Sequence, residues 1–216
     1  MQYSFIFCSR KKLTKCTAHL FFMGAVLLLT ACAATTESTS DVVDSSGVAA
    51  SPKKELPKID PKIAASYEAA LSAMRAGKTG QAEKALQQLA VQYPDYSGPQ
   101  ANLGILYFHQ NKLEKAKAAF QVSLKINPQN VVSLNHLGII SRGAGDFQQA
   151  KTYYEQALQI DPDYAYAHLN FGILLELYMG KLAEALGHYQ RYQELTPEED
   201  VDVKKWIIDL GRRAKK

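Results

Sequence analysis

An all-α fold of stacked helical repeats, four helix-turn-helix units followed by one further helix, is predicted by three observations. First, Gly104, Gly138 and Gly172 recur at a spacing of 34 residues, each directly after a large apolar residue (Leu103, Leu137, Phe171). Second, small and aromatic residues follow in a fixed order. Ala116 and Ala150 stand twelve residues beyond their glycines and Ala185 thirteen beyond; Phe120, Tyr154 and Tyr189 come four later. Third, Pro128, Pro162 and Pro197 close the units. A period of this length marks an array in which each unit buries its apolar face only by stacking on the next.

Each position has a physical reason. The glycine and alanine let two antiparallel helices approach closely, and the aromatic residue packs between neighbouring units. The proline ends the second helix, since it has no amide donor and biases its predecessor away from helical geometry. Gly145, Gly180 and Asn111 suit the tight turn between helices, because both residue types tolerate left-handed backbone. A weaker copy precedes these, with Gly77 at the turn, Ala82 at the close contact and Pro94 as terminator; Ala70 replaces the glycine and Leu86 the aromatic. The repeats are therefore 63–96, 97–130, 131–164 and 165–199. The last is one residue longer, which predicts either a longer turn or a bulge in its first helix. A final helix occupies 200–216, with Thr196 as its cap, Pro197 at its first position and Glu199 completing a capping box. Val203, Trp206, Ile207 and Leu210 fall on one face of it and are expected to cover the apolar end of the fourth repeat. Arg212, Arg213, Lys215 and Lys216 then complement the helix dipole, touch anionic lipid or end in solvent.

The small, aromatic and proline positions in this order resemble the tetratricopeptide repeat (TPR). That resemblance implies a right-handed TPR helical solenoid whose first helices line a concave surface, with positions 2, 5, 6, 9, 12 and 13 of each repeat facing it. In this chain those positions place Tyr67, Leu71, Ile105, Phe108, Ile139, Tyr166 and Ile173 among the apolar groove residues. They place Arg75, Asn102, His109, Asn135, His136, Arg142, Asn170 and Glu176 among the polar ones. Rings supply desolvated anchors and asparagine satisfies both an amide and a carbonyl, so the surface suits an extended protein segment. Asn102 and Asn170 equally fit the family consensus at position 6, and part of the apolar set belongs to the interhelix core. The lysine–asparagine clamp that related domains use for C-terminal carboxylates is not matched, because Tyr67 and Leu71 stand at its first positions. Binding of free C termini is not expected.

Ahead of the repeats, Arg10, Lys11, Lys12 and Lys15 flank a short apolar core, Leu20 to Leu29, too short to cross a bilayer stably. Segment 1–31 reads as a secretory signal peptide. Leu29-Thr30-Ala31-Cys32 resembles the lipobox of bacterial lipoproteins, which implies cleavage before Cys32 and a covalent lipid on it. Ala33, rather than aspartate, follows the cysteine, and by the family's sorting rule this implies the periplasmic face of the outer membrane. Residues 32–62 comprise the lipidated cysteine and a disordered linker, rich in Ser, Thr, Ala and Pro and without an aromatic residue after Cys32. Fully extended, it reaches about 100 Å.

Removing the signal changes the charge. Of 25 basic side chains four lie in 1–31, leaving 21 against 21 acidic ones, so the mature chain is neutral. Without a basic excess there is no electrostatic footing for nucleic acid. Cys8 and Cys16 leave with the signal and Cys32 is capped by lipid, which leaves no thiol for a disulfide, a redox motif or zinc.

Chemistry-bearing motifs are weak. Gly77-Lys78-Thr79 resembles the end of a phosphate-binding loop, but Ser72 stands where the motif needs its first glycine, and the tripeptide falls in a helix–helix turn. His109, His136, His168 and His188 have no short metal-ligand spacing, although His109, His136 and His168 fall on successive first helices, where two of them can meet. No catalytic residue, metal site or cofactor other than the lipid on Cys32 is expected, and no small-molecule substrate. The expected function is a lipid-anchored scaffold or adaptor for envelope proteins or peptide segments, similar to outer-membrane TPR lipoproteins that assist pilus and secretin assembly. Alternatives are an adaptor for peptidoglycan hydrolases or proteases, an accessory to energy-coupled outer-membrane transport, and, from another class, a nucleotide-dependent enzyme.

Overall fold

The structure, a computed structural model, describes residues 61–196, 198 and 200–214. The signal segment, Cys32, the linker up to residue 60, Pro197, Glu199 and the last two residues lie outside the described residues. Among the described residues there are nine helices: α1 (Pro61–Arg75), α2 (Thr79–Gln92), α3 (Ser97–His109), α4 (Leu113–Ile126), α5 (Val131–Gly143), α6 (Phe147–Ile160), α7 (Ala165–Leu177), α8 (Leu182–Leu195) and α9 (Val201–Arg213). The first begins at Pro61, two residues ahead of the predicted start of the first repeat. Each odd-numbered helix up to α7 pairs with its successor, and α2 packs on α3, α4 on α5, α6 on α7 and α8 on α9. First helices also touch directly, α3 with α5 and α5 with α7, which puts them on the inner side of the stack. This is the all-α repeat solenoid expected.

The prolines act through a repeated turn. α2, α4 and α6 each end two residues before Pro94, Pro128 and Pro162. The amides of Tyr96, Asn130 and Tyr164 then donate to the carbonyls of Tyr93, Asn127 and Asp161 at 3.1–3.2 Å. Each closure is a four-residue turn with proline at its second position, where a fixed φ is favourable. Inside each unit the turn is left-handed at Gly77, Gly145 and Gly180, and at Asn111 with φ 57°.

The extra residue of the fourth unit lies in its turn. α3, α5 and α7 all have 13 residues, so no bulge interrupts α7. The Lys78, Lys112 and Asp146 amides reach back to the carbonyls of Ala73, Tyr107 and Ser141, whereas Lys181 reaches one residue further, to Leu175 at 2.9 Å.

Close packing of ring against glycine defines each unit. A Cβ on Gly104 would sit 2.5 Å from Phe120 Cε1, one on Gly138 2.4 Å from Tyr154 Cε1, and one on Gly172 2.7 Å from Tyr189 Cε1. The glycine therefore makes room for the ring, more than for the opposing backbone. The same rings reach the next unit: Phe120 packs with Leu137, Tyr154 lies 5.9 Å from Phe171, and Tyr189 lies 5.5 Å from Trp206. In the first unit both members change together, since Ala70 and Leu86 are fully buried in one cluster. A methyl and a branched aliphatic chain fill the space of a hydrogen and a ring.

α9 covers the end of α8 as expected, with Val203 and Leu210 buried and Trp206 and Ile207 packed on the same cluster. Its start corrects the predicted cap. Asp200 is the cap, its carboxylate accepting from the amides of Asp202 (3.0 Å) and Val203 (3.2 Å). Thr196 instead ends α8, its hydroxyl donating to the carbonyls of Tyr192 and Gln193. A hydroxyl turned back onto the preceding helix is not available to cap the next, and a charged acceptor suits the positive helix start better.

Two expectations follow for stability. Gly138→Ala should cost about 1–3 kcal/mol by overpacking, and adding Tyr154→Leu, which reproduces the Ala70–Leu86 pair, should recover part of the loss; urea denaturation of the two variants and of Tyr154→Leu alone measures the coupling. The buried hydroxyls of Ser123 and Ser133 bond at 3.0 Å across the α4–α5 joint, where the next joint has Ala157 and Ala167. Either single alanine variant should lose about 1–2 kcal/mol, while the double variant should return close to the parent; strictly additive losses would contradict this.

Candidate functional site

The inner face carries one aliphatic residue from each first helix, Leu71, Ile105, Ile139 and Ile173, all half-buried and spaced at the repeat. Ile139 and Ile173 also pack against the core below α7. Polar residues flank this line, and the structure shows how many of their atoms are already engaged. Tyr67 and Asn102 bond across the first joint, and Asn102 Nδ2 also donates to the Gly98 carbonyl at 3.1 Å. Asn170 Nδ2 donates to Asn135 Oδ1 at 3.1 Å across the third joint and to the Tyr166 carbonyl at 2.9 Å. Asn135 is only 3% exposed and serves as an interhelix strut, so it is not a peptide-facing group. The middle joint uses rings. His136 stacks on Phe120 at 4.9 Å and meets Phe108 edge-on at 5.6 Å, while Nδ1 bonds the Val132 carbonyl at 2.8 Å. Phe108 also contacts His109, so the two histidines of successive first helices flank one ring.

The charged residues differ in their engagement. Arg75 pairs with Glu68 on its own helix. Glu176 accepts from Tyr189 Oη at 3.1 Å and from Arg213 at 2.7 Å. Arg213, itself exposed, thus reaches a residue of the first helices and also pairs with Asp209 on its own helix at 3.0 Å. Arg142 Nη1 donates to the Asn170 carbonyl at 3.2 Å. Its positive charge acts on the phenols of both Tyr154 and Tyr189, yet burial dominates and holds both well above the usual tyrosine range. Tyr166 is 58% exposed, the most open aromatic of the predicted set. Tyr154, Tyr189 and Arg213 were not among the predicted groove residues; their tips reach position 12 of the first helices, although their own backbones lie elsewhere.

Two shallow depressions elsewhere, lined by residues such as Leu124, Leu134, Tyr153 and Ile160, include none of the predicted groove residues. Gly77-Lys78-Thr79 forms the α1–α2 turn, as expected for a helix connection. Among the described residues no group of three His, Cys, Asp or Glu side chains is placed to hold a metal ion. No helix among them is long and apolar enough to cross a membrane.

One pairing was missed by looking for short spacings. His168 of α7 and His188 of α8 meet with their Nδ1 atoms 2.9 Å apart. His168 Nε2 bonds the Pro162 carbonyl at 2.9 Å. A carbonyl only accepts, so His168 Nε2 carries a proton and donates it to Pro162, and one of the two facing Nδ1 atoms donates to the other. Burial, and then His168, push His188 down to about 4, with Glu184 opposing.

Comparison with known proteins agrees with this architecture. Residues 67–131 match one tetratricopeptide-repeat family model and residues 131–164 another. Residues 67–164 are tetratricopeptide repeats. Among solved structures it is similar to that reported for Pseudomonas aeruginosa pilF, at 20% identity and a TM-score of 0.62 over 71% of this chain and 69% of that one. It is also similar to MamA from Desulfovibrio magneticus RS-1, at 17% identity and a TM-score of 0.58 over 72% of this chain and 87% of the other. A third is the first TPR of Spaghetti (RPAP3) bound to the HSP90 peptide SRMEEVD, at 20% identity and a TM-score of 0.51 over 56% and 96%. At these identities the shared property is the fold.

Stability should depend on pH through the histidine pair. His188 is neutral in the folded chain, so between its ordinary value near 6.5 and about 4 the unfolded chain binds the proton more readily. Stability is then full above about pH 6.5 and falls as pH drops toward 4. Burial lowers His136 and His109 as well, with the same sign. Thermal midpoints between neutral and mildly acid pH should fall, and replacing the pair by the Leu134–Tyr153 combination of the third unit (H168L with H188Y) should flatten the slope. An unchanged slope would assign the effect to other groups.

Proposed function

We propose that this chain is a non-catalytic scaffold, lipid-anchored through Cys32 at the periplasmic face of the bacterial outer membrane, that binds an envelope protein segment along its inner face. The observation that carries the binding role is the line Leu71–Ile105–Ile139–Ile173, one half-buried aliphatic side chain from each first helix, with hydrogen-bonding groups beside it. The side-chain Oδ1 atoms of Asn102 and Asn170 accept no hydrogen bond from other described residues and suit the amides of an extended chain. The anchoring reading rests on the lipobox-like Leu29–Cys32; each buried lipid methylene adds about 0.8 kcal/mol of membrane affinity. Tethering the repeats raises their effective concentration against envelope machinery. Assistance to pilus or secretin assembly is the finer reading, supported by the resemblance to outer-membrane TPR lipoproteins.

Crosslinking and affinity capture from envelopes tests it. The native protein should fractionate with membranes and recover a secretin or pilus component. Cys32→Ala should move to the soluble fraction and lose that partner. A membrane-bound Cys32→Ala protein would remove the anchoring role, and recovery of hydrolases or a transport complex would replace the pilus reading with another adaptor.

A further inference from the structure

Within each unit the residue one turn beyond the glycine or alanine varies together with the side chain packed over that small residue. Met74 goes with Leu86, Phe108 with Phe120, Arg142 with Tyr154 and Glu176 with Tyr189. The first two pairs are apolar; the last two set a charged residue one turn beyond the glycine that a tyrosine ring covers. In the fourth unit the polar set is complete. Tyr189 Oη donates to Glu176 Oε2 at 3.1 Å, and Arg213 Nη1 donates to Glu176 Oε1 at 2.7 Å. Phenol, carboxylate and guanidinium satisfy one another.

The third unit has the phenol and the guanidinium and lacks the carboxylate. Tyr154 is wholly buried, and its hydroxyl has no hydrogen-bond partner among the described residues. Arg142 is half-buried and held by one 3.2 Å bond to the Asn170 carbonyl, and no carboxylate among the described residues pairs with it. Glu176 does not pair with it and is engaged instead by Tyr189 and Arg213. Buried polar groups are satisfied as a rule, and an arginine favours a carboxylate over a neutral carbonyl. Charge on this face points the same way. Arg142 has no carboxylate partner among the described residues, whereas Glu176 pairs with Arg213, which Asp209 also engages, so an acidic side chain finds an unmatched cation at Arg142.

We propose that Arg142 and Tyr154 form a receptor for one side-chain carboxylate, an Asp or Glu of an extended partner segment lying along Ile105, Ile139 and Ile173. The carboxylate takes the place in the third unit that Glu176 holds in the fourth, with Arg142 lifting from the Asn170 carbonyl to pair with it and admit it to the phenol. This rests on the inner face being the binding surface.

The test is a selection of random displayed peptides without free C termini, run against the full mature chain and against Arg142→Gln. Asp or Glu should be enriched at one register position with the native protein and lose that enrichment with the variant. The best peptide, remade with an amidated C terminus, should bind Arg142→Gln about tenfold more weakly, a loss typical of one charge-assisted contact. Changing its acid to the amide should cost native binding a similar factor and cost the variant nothing further. Tyr154→Phe separates recognition from folding: it should melt no lower than the parent and still bind several-fold more weakly. Peptides enriched without an acid, or an acid preference that survives in Arg142→Gln, would overturn the receptor and leave the groove. No enrichment against the native protein would overturn both. Tighter binding of a free-acid form of an otherwise neutral peptide would assign the site to a C-terminal carboxylate instead. Tighter peptide binding after Glu37, Asp41, Asp44 and Glu55 of the linker are changed to amides would make the chain's own linker the occupant.

Discussion

The contact between a buried ring and a glycine on the facing helix sets the spacing of the whole array. At Gly104, Gly138 and Gly172 the ring occupies the volume where a methyl group would stand, so the two helices of a unit close to one separation only. The far side of the same ring meets the next unit, through Leu137, Phe171 or Trp206. Intra-unit and inter-unit packing are thus two sides of one side chain. Stability in such an array is approximately a sum of unit and neighbour terms, and here both terms pass through the same residues.

Polar groups adapt this frame to each joint. The first and third joints carry hydrogen-bonded rungs, Tyr67 with Asn102 and Asn135 with Asn170. The second substitutes a stack of Phe108, His136 and Phe120. Residues that share a repeat position therefore differ in what they offer a ligand. An amide bound across a joint stiffens the face, whereas a half-buried guanidinium on a neutral carbonyl holds charge in reserve.

The period, the helix pairs, the left-handed turns and the covering role of α9 were legible in the sequence because each depends on one residue type at one spacing. The cap of α9 was not. Thr196 and Asp200 are both acceptable caps in one short segment, and only the direction of the Thr196 hydroxyl, back onto α8, decides between them. The groove was legible as a set of positions and not as a set of free groups, since periodicity places Asn135 on the inner helix and says nothing of its bond to Asn170. The meeting of His168 with His188 depends on the pairing of α7 with α8, which lies beyond the local spacings that mark a ligand pair. The pairing of position 12 with the ring had a signal in the sequence all along, in the parallel change from Met74–Leu86 to Glu176–Tyr189.

The Glu176–Arg213 bond has a consequence for how such an array can change in length. The carboxylate of the fourth unit is balanced by a helix that is not itself a repeat, so that unit is matched to its place beside α9. A duplicated unit inserted between α8 and α9 would separate acid from base and leave a charge facing the groove. The first two units, whose corresponding pairs are Met74–Leu86 and Phe108–Phe120, carry no such debt to a neighbour. Lengthening between α8 and α9 would break this pair, whereas lengthening between the first two units would leave it intact.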